Sequence, residues 1–344
     1  MDTAADLLDP VPTPASPPAR LRRLSVAEWE RFQRDGFLVF RQLIPAAVRE
    51  QMLAVTLDGV EREIGPIEYE AELHYPGAPA SLAAEGGRTI RRLKQAHSRH
   101  SVFTKWLSDR ELTNRLADLL GPRVVMPLAH HNCIMTKQPK FSSDTGWHQD
   151  IRYWAYQRPD LISVWISLVP ERVENGCLRV IPGSHRMSFD RSRFDDSLFF
   201  RGDLPENQTI IASAVPVELD PGDVLFFHAK TLHSASRNHT SQTKYSAVFT
   251  FRAGDNLPLP GTRSAELPEL MLPYSWGRFS TCPWIKSWQV ENLPHDYSTW
   301  YSRARARSVE MVLASRAPSQ AISTAAERPP VSSRTATLIR PRWS

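Results

Sequence analysis

His148 and Asp150 stand two residues apart in the stretch Gly146-Trp147-His148-Gln149-Asp150. An imidazole nitrogen and a carboxylate oxygen at that spacing can share one metal ion, because positions i and i+2 of an extended strand point to the same face. A histidine from a second strand would complete a facial set of three ligands and leave the other positions of an octahedron open. Two candidates follow the apolar run 224–227, namely His228 and His233. Taken alone, a His-x-Asp pattern is most often a surface histidine beside an exposed aspartate. Its chemistry therefore depends on the elements that would carry it.

Those elements begin after residues 1–23, a segment rich in proline and small residues that is expected to be disordered. Ser25 and Glu28 form an S-x-x-E capping box, with Leu24 and Trp29 as the flanking hydrophobic staple, so a helix starts there and stops near Gly36. Residues 37–40 read as a short buried strand. Helices are expected over 45–63, where Pro45 is tolerated in the first turn, and over 109–120, where Gly121 ends the run. The period then changes from helical to extended. Short β-type runs cover 124–135, 161–169, 177–181, 210–214, 224–227 and 245–251. Between them, Asn175-Gly176 is a hairpin pattern, Pro182-Gly183 marks a turn, and Asp220-Pro221-Gly222-Asp223 suits a type II turn. Helices followed by many turn-separated strands predict a mainly β fold with a helical buttress, a double-sheet jelly roll.

Composition narrows the function classes. The chain of 344 residues carries a formal charge of +5, but from Arg303 onward eight arginines stand against Glu310 and Glu327, which is +6 in that tail alone. The body is thus close to neutral, and nucleic acid is not expected as a partner. Residues 303–344 are expected to be a basic, disordered tail, leaving 24–302 as one domain. No stretch approaches the roughly 18 to 20 apolar residues that cross a bilayer, so no membrane partner is expected. Cys133, Cys177 and Cys282 are odd in number and far apart, which suits a reducing cytoplasm better than a disulfide framework. The oligomeric state is left open.

Three segments in chain order make the pattern specific: WHQD at 147–150, ENGCLRVIPGSHR at 174–186, and PGDVLFFHAKTLHSASRN at 221–238. With them the sequence resembles the phytanoyl-CoA dioxygenase family of iron and 2-oxoglutarate enzymes, over about residues 24–252. The resemblance implies a double-stranded β-helix of the cupin-like, jelly-roll kind. It assigns the Fe(II) ligands to His148, Asp150 and His233 and makes His228 a neighbour. It further implies 2-oxoglutarate and dioxygen as co-substrates, with succinate and CO2 released as a small organic substrate is hydroxylated. Because Asp150 is retained, iron lacks the ligand position that a halide takes in related halogenases.

The resemblance also carries over co-substrate contacts: Lys94 before the core, Gln149 within WHQD, Trp165 on the next strand, and Ser246. Lys94 can equally be a solvated lysine near Arg91 and Arg92, and Trp165 plain core. The family places an arginine about eleven positions after its second iron histidine, where this chain has Lys244. A single ammonium can neutralise the distal carboxylate of 2-oxoglutarate but lacks the arginine fork. Arg252, on the same face, is expected to lie roughly 26 Å further along at about 3.3 Å per residue and to meet solvent. Aromatics at Tyr153, Trp154 and Tyr156, and again from Tyr274 to Trp288, either roof a substrate or pack on the sheet. A cupin-type metalloenzyme that needs no 2-oxoglutarate, and a catalytically silent metal-binding protein, are the competing classes.

Overall fold

The chain enters the fold through Asp118, whose buried carboxylate accepts the backbone N–H groups of Arg22, Arg23 and Leu24 at 2.8, 2.8 and 2.9 Å. The structure, a computed structural model, describes residues 17–273 with the exception of residue 19. The expected basic tail and the aromatics from Tyr274 onward lie outside the described residues. So does most of the N-terminal segment 1–23.

Helix α1 (Val26–Asp35) opens with the expected capping box: Glu28 N donates to Ser25 Oγ while Ser25 N donates to Glu28. Leu24 and Trp29 are buried as its staple, and Gly36 ends it in the left-handed region. In chain order there follow β1 (Phe37–Phe40), α2 (Ala46–Glu61), β2 (Ile67–Tyr69), β3 (Ile90–Lys94), α3 (Ala96–Arg99), α4 (Ser101–Leu107) and α5 (Arg110–Leu120). The β-rich part comprises β4 (Val124–Pro127), β5 (Asn132–Lys137), β6 (Thr145–His148), β7 (Leu161–Ser167) and β8 (Leu178–Val180). It continues through α6 (Pro205–Ile211), β9 (Val215–Val217), β10 (Val224–His228), β11 (His233–Ala235), β12 (Lys244–Ala253) and β13 (Glu269–Met271).

Among the described residues these strands form two sheets. The larger has nine strands, ordered β1-β10-β7-β12-β5-β3-β2, with β4 pairing both β12 and β13; the smaller is β6-β11-β8-β9. The pairings are antiparallel, and neighbours in space are mostly distant in sequence, which is jelly-roll topology. Strand alternation divides the core. Ile134, Ile162, Val164, Ile166, Val224, Phe226, Ala247, Phe249 and Phe251 face the helices and pack with Trp29, Phe32, Phe103 and Leu116. The intervening residues Cys133, Trp165, Leu225, Phe227 and Val248 face the smaller sheet, against Leu178, Val180, Val217 and Ala235. The helices are therefore a buttress on the outer face of the larger sheet. The space between the sheets is left for the site.

Several expectations change in detail. The run 124–135 is interrupted at residues 128–131, and both halves pair with the same long strand β12. Residues 210–214 lie in and just after helix α6 rather than in a strand: Pro205 sets the first turn, Glu206 favours its N-terminus, and Asn207 inside the helix is tied to the Arg193 and Arg201 carbonyls. The β-branched pair Ile210-Ile211 misled because a short apolar run does not distinguish helix from strand. Asn175-Gly176 does not join two strands directly but ends a 3-10 turn, Val173–Asn175. Gly176 has φ +76°, and a Cβ there would run into the Ser236 carbonyl, so only glycine fits. The type II turn holds, with Gly222 at φ +95° and Asp223 N donating to Asp220 O at 3.0 Å.

Candidate active site

His148 is the last residue of β6, and Asp150 opens a 3-10 turn, Asp150–Tyr153, so the pair does not share one strand as expected. Gln149 is still extended, and the 3-10 turn that begins at Asp150 brings the carboxylate beside the imidazole instead. His233 begins β11 and is the direct register partner of His148. The two rings lie 4.1 Å apart, centre to centre. Asp150 Oδ1 sits 3.7 Å from His148 Nε2 and 3.5 Å from His233 Nε2, and one ligand atom from each residue falls within 4.8 Å of the others.

The ring tautomers follow from the backbone. His148 Nδ1 lies 2.8 Å from the Gly146 carbonyl and His233 Nδ1 3.0 Å from the Thr231 carbonyl. A carbonyl oxygen can only accept, so each Nδ1 carries the proton and each Nε2 turns a lone pair inward. Burial, and then the neighbouring His233 and Arg152, hold the His148 imidazole well below its ordinary pKa and thus neutral. Burial of Asp150 disfavours its charge, yet the carboxyl lies well below the usual carboxylate range through attraction to His131, His233 and His148 in their protonated forms, a role that a bound cation takes over when the rings are neutral. Two inward lone pairs and a carboxylate oxygen converge on one point. That donor set fits a divalent cation.

Outer contacts complete it. Ser163 Oγ on β7 donates to Asp150 Oδ2 at 2.8 Å, and His131 Nδ1 lies 3.5 Å from the same oxygen. One oxygen of Asp150 is thus held from behind while the other faces the histidines. His131 stands there because the sheet is interrupted between β4 and β5. The rings of Phe199 and Phe227 pack on His148 and His233, at 5.8 and 5.0 Å. His228, the other candidate, is directed away: its Nε2 lies 3.6 Å from Asp160 Oδ1.

Beside this centre a cavity of about 600 Å³, its open mouth included, runs between the sheets. Its lining includes His131, His148, His233, Trp165, Lys137 and Lys244. Of the expected co-substrate contacts, Trp165 and Lys244 line this cavity. Lys94 is exposed and faces Glu68 at 3.5 Å, while Gln149 Nε2 donates to the Lys230 carbonyl at 2.6 Å; neither residue lines the cavity. Ser246 Oγ donates to Glu171 Oε1 at 2.6 Å. Glu171 was not expected. Fully buried, it also takes the Trp165 Nε1 proton at 2.8 Å and pairs with Lys244 Nζ at 3.0 Å. Lys137 and Arg91 in the wall were likewise not singled out, although the β5 alternation Cys133, Met135, Lys137 would have placed Lys137 on the inner face. Arg252 is buried and bonded to Glu269 (Nε to Oε1 2.8 Å), which corrects the expectation that it meets solvent. Trp154 and Tyr156 are core, packed with Leu161 and Ala229, whereas Tyr153 is half exposed.

Residues 32–246 match the family model described as phytanoyl-CoA dioxygenase (PhyH). The chain is 23% identical over 239 residues to a probable phytanoyl-CoA dioxygenase of Caenorhabditis elegans, covering 67% of this chain and 76% of that protein. It is 23% identical over 243 residues to the peroxisomal phytanoyl-CoA dioxygenase of Homo sapiens, covering 67% and 69%. Its fold is similar to that of EctD from S. alaskensis, solved with 2-oxoglutarate and 5-hydroxyectoine, with a TM-score of 0.58 at 19% identity over 73% of this chain and 84% of that one. With the family model running from within α1 to the start of β12 and taking in the His/Asp/His centre, this chain belongs to the phytanoyl-CoA dioxygenase family and is an iron- and 2-oxoglutarate-dependent dioxygenase.

Proposed function

We propose that His148, Asp150 and His233 are the three protein ligands of Fe(II), and that the adjoining cavity receives 2-oxoglutarate with its chelating end toward the iron. The observation that carries this reading is the convergence of two imidazole Nε2 atoms and Asp150 Oδ1, each fixed by a hydrogen bond on its far side. When bound, iron, 2-oxoglutarate and dioxygen supply the oxidising power to replace a substrate C–H bond by C–OH, with succinate and CO2 as co-products. The chain's own part is positional. The Gly146 and Thr231 carbonyls hold the imidazoles in the ligating tautomer. Ser163 and His131 steady Asp150, and Phe199 and Phe227 keep water from the rings.

The substrate is proposed to be a small organic molecule. Free, buried Cys133 and Cys177 support a reducing, cytoplasm-like compartment. Among the described residues no helix is long and apolar enough to cross a membrane.

The test is anaerobic reconstitution with Fe(II), admission of dioxygen, and measurement of succinate against a panel of candidate substrates. Succinate formation that rises with one compound, in step with its hydroxylation, is the expected result. Oxidation of a compound without consumption of 2-oxoglutarate would instead favour a cupin-type enzyme. A related expectation concerns Ser163, which is fully buried behind Asp150. Partners of this kind typically contribute 10- to 100-fold to metal affinity, so Ser163→Ala should weaken Fe(II) binding by about that factor. Metal titration of the purified variant would measure it, and unchanged affinity would show that the Ser163 bond does not orient the ligand.

A further inference from the structure

Four cationic side chains line the cavity: Arg91 and Arg92 from β3, Lys137 from β5 and Lys244 from β12. Three are neutralised by the protein itself. Arg91 pairs with Glu70 at 2.9 Å, Arg92 with Glu68 at 2.9 Å, and Lys244 with Glu171 at 3.0 Å. In the last pair Glu171 Oε2 accepts from Lys244, while Oε1 accepts from both Trp165 Nε1 and Ser246 Oγ. Lys244 stands where the family places its arginine, but its charge is already matched by a buried carboxylate.

Lys137 differs from the other three. It is buried, and the hydrogen bond its ammonium makes is to the Ser143 carbonyl at 2.8 Å. Among the described residues no carboxylate forms an ion pair with it. An ammonium has three donors, so two remain for a ligand. Lys137 and Lys244 are direct register partners on neighbouring strands, and both line the cavity.

We propose that Lys137, rather than Lys244, is the cation that receives the distal carboxylate of 2-oxoglutarate, with the Lys244–Glu171 pair forming a neutral wall beside it. This rests on the function proposed above and extends it to one residue. The charges agree with it. Fe(II) beside Asp150 retains one positive charge and the three paired cations contribute none; Lys137, whose pKa burial and then Arg91 and Lys244 push down to about 7, supplies the second when it holds its proton against the dianion. A buried ammonium without a counter-ion is unfavourable, and the co-substrate supplies that counter-ion. Met135, Trp165 and Leu178 line the same cavity and offer apolar contact to the two methylene groups between the carboxylates.

The test compares two ligands on Fe(II)-loaded protein without dioxygen, followed by calorimetry and by the visible charge-transfer band of an iron-chelated 2-oxo acid. One ligand is 2-oxoglutarate. The other is 2-oxobutyrate, which keeps the chelating end and lacks the distal carboxylate. Lys137→Met should raise the Kd of 2-oxoglutarate about 10- to 100-fold, the range for losing a charge-assisted bond. It should leave 2-oxobutyrate binding within about threefold. Lys137→Arg, which retains the charge, should recover most of the difference and guards against a folding artefact in the methionine variant. In the double variant Glu171→Gln/Lys244→Met the preference for 2-oxoglutarate over 2-oxobutyrate should persist. If that preference survives in Lys137→Met and vanishes in the double variant, Lys244 is the anchor and the proposal is overturned. If the wild-type protein holds Fe(II) yet binds neither 2-oxo acid, the parent reading fails and this one with it.

Discussion

His233→Ala is expected to abolish Fe(II) retention and 2-oxoglutarate turnover while the protein stays folded, and His148→Ala and Asp150→Ala should behave alike. Each variant removes one of three ligand atoms that lie within 4.8 Å of one another. Loss of an outer partner already weakens metal binding about 10- to 100-fold, so loss of a direct ligand should exceed that range. The fold should tolerate the change, because beyond ring packing on Phe199 or Phe227 each histidine makes a single hydrogen bond, to a carbonyl two residues before it. His228→Ala is the contrasting variant. Its ring faces Asp160 and accepts the Lys230 N–H, so it should retain iron and most activity. Metal content after dialysis, thermal midpoint and succinate release would be read on all four proteins. A dead His228→Ala beside a fully active His233→Ala would show that the third ligand is assigned to the wrong histidine.

Glu171→Ala is expected to destabilise the fold by about 3–5 kcal/mol, the usual result of breaking a buried ion pair from one side. Three groups lose their acceptor at once: the Lys244 ammonium, the Trp165 indole N–H and the Ser246 hydroxyl. All lie on the inner face of the larger sheet and are themselves buried. Most of the loss should come from the stranded ammonium, so Glu171→Ala/Lys244→Met should recover a large part of it. The indole and hydroxyl would still lack a partner, each a deficit of about 1–3 kcal/mol, so recovery should be incomplete. Urea unfolding of the two variants and of Lys244→Met closes the cycle. If Glu171→Ala lowers stability by less than about 1 kcal/mol, or if the second substitution adds to the loss, Glu171 and Lys244 are not coupled as described.

The residues that a reader of the sequence can find are those whose neighbours in the chain define them. The Ser25–Glu28 capping box and the Asp220–Asp223 turn are local patterns, each set by a few consecutive residues, whereas it was the likeness of three whole segments to a known family that put His233 rather than His228 beside His148 and Asp150. The jelly-roll architecture was legible for the same reason: short alternating runs between turn residues leave few other ways to bury one face. Helix α6 and the missed strands β2, β3, β9 and β13 were less legible, since Ile210-Ile211 fits either state and these short strands lie at or beside sheet edges.

What only the tertiary structure decided is how charges combine across the cavity. Glu171 follows β7 and Lys244 lies 73 residues later, and their pairing depends on β12 lying against β7. The same register sets Lys137 opposite Lys244 and leaves it without an acid. His131 reaches Asp150 because the sheet is interrupted between β4 and β5, where Pro127 and the polar triplet His130-His131-Asn132 break the apolar run. A sequence specifies which residue types can ionise or ligate. Which of them remain unpaired depends on distances of a few ångströms between strands far apart in the chain, and those distances come into being only when the sheets close on one another.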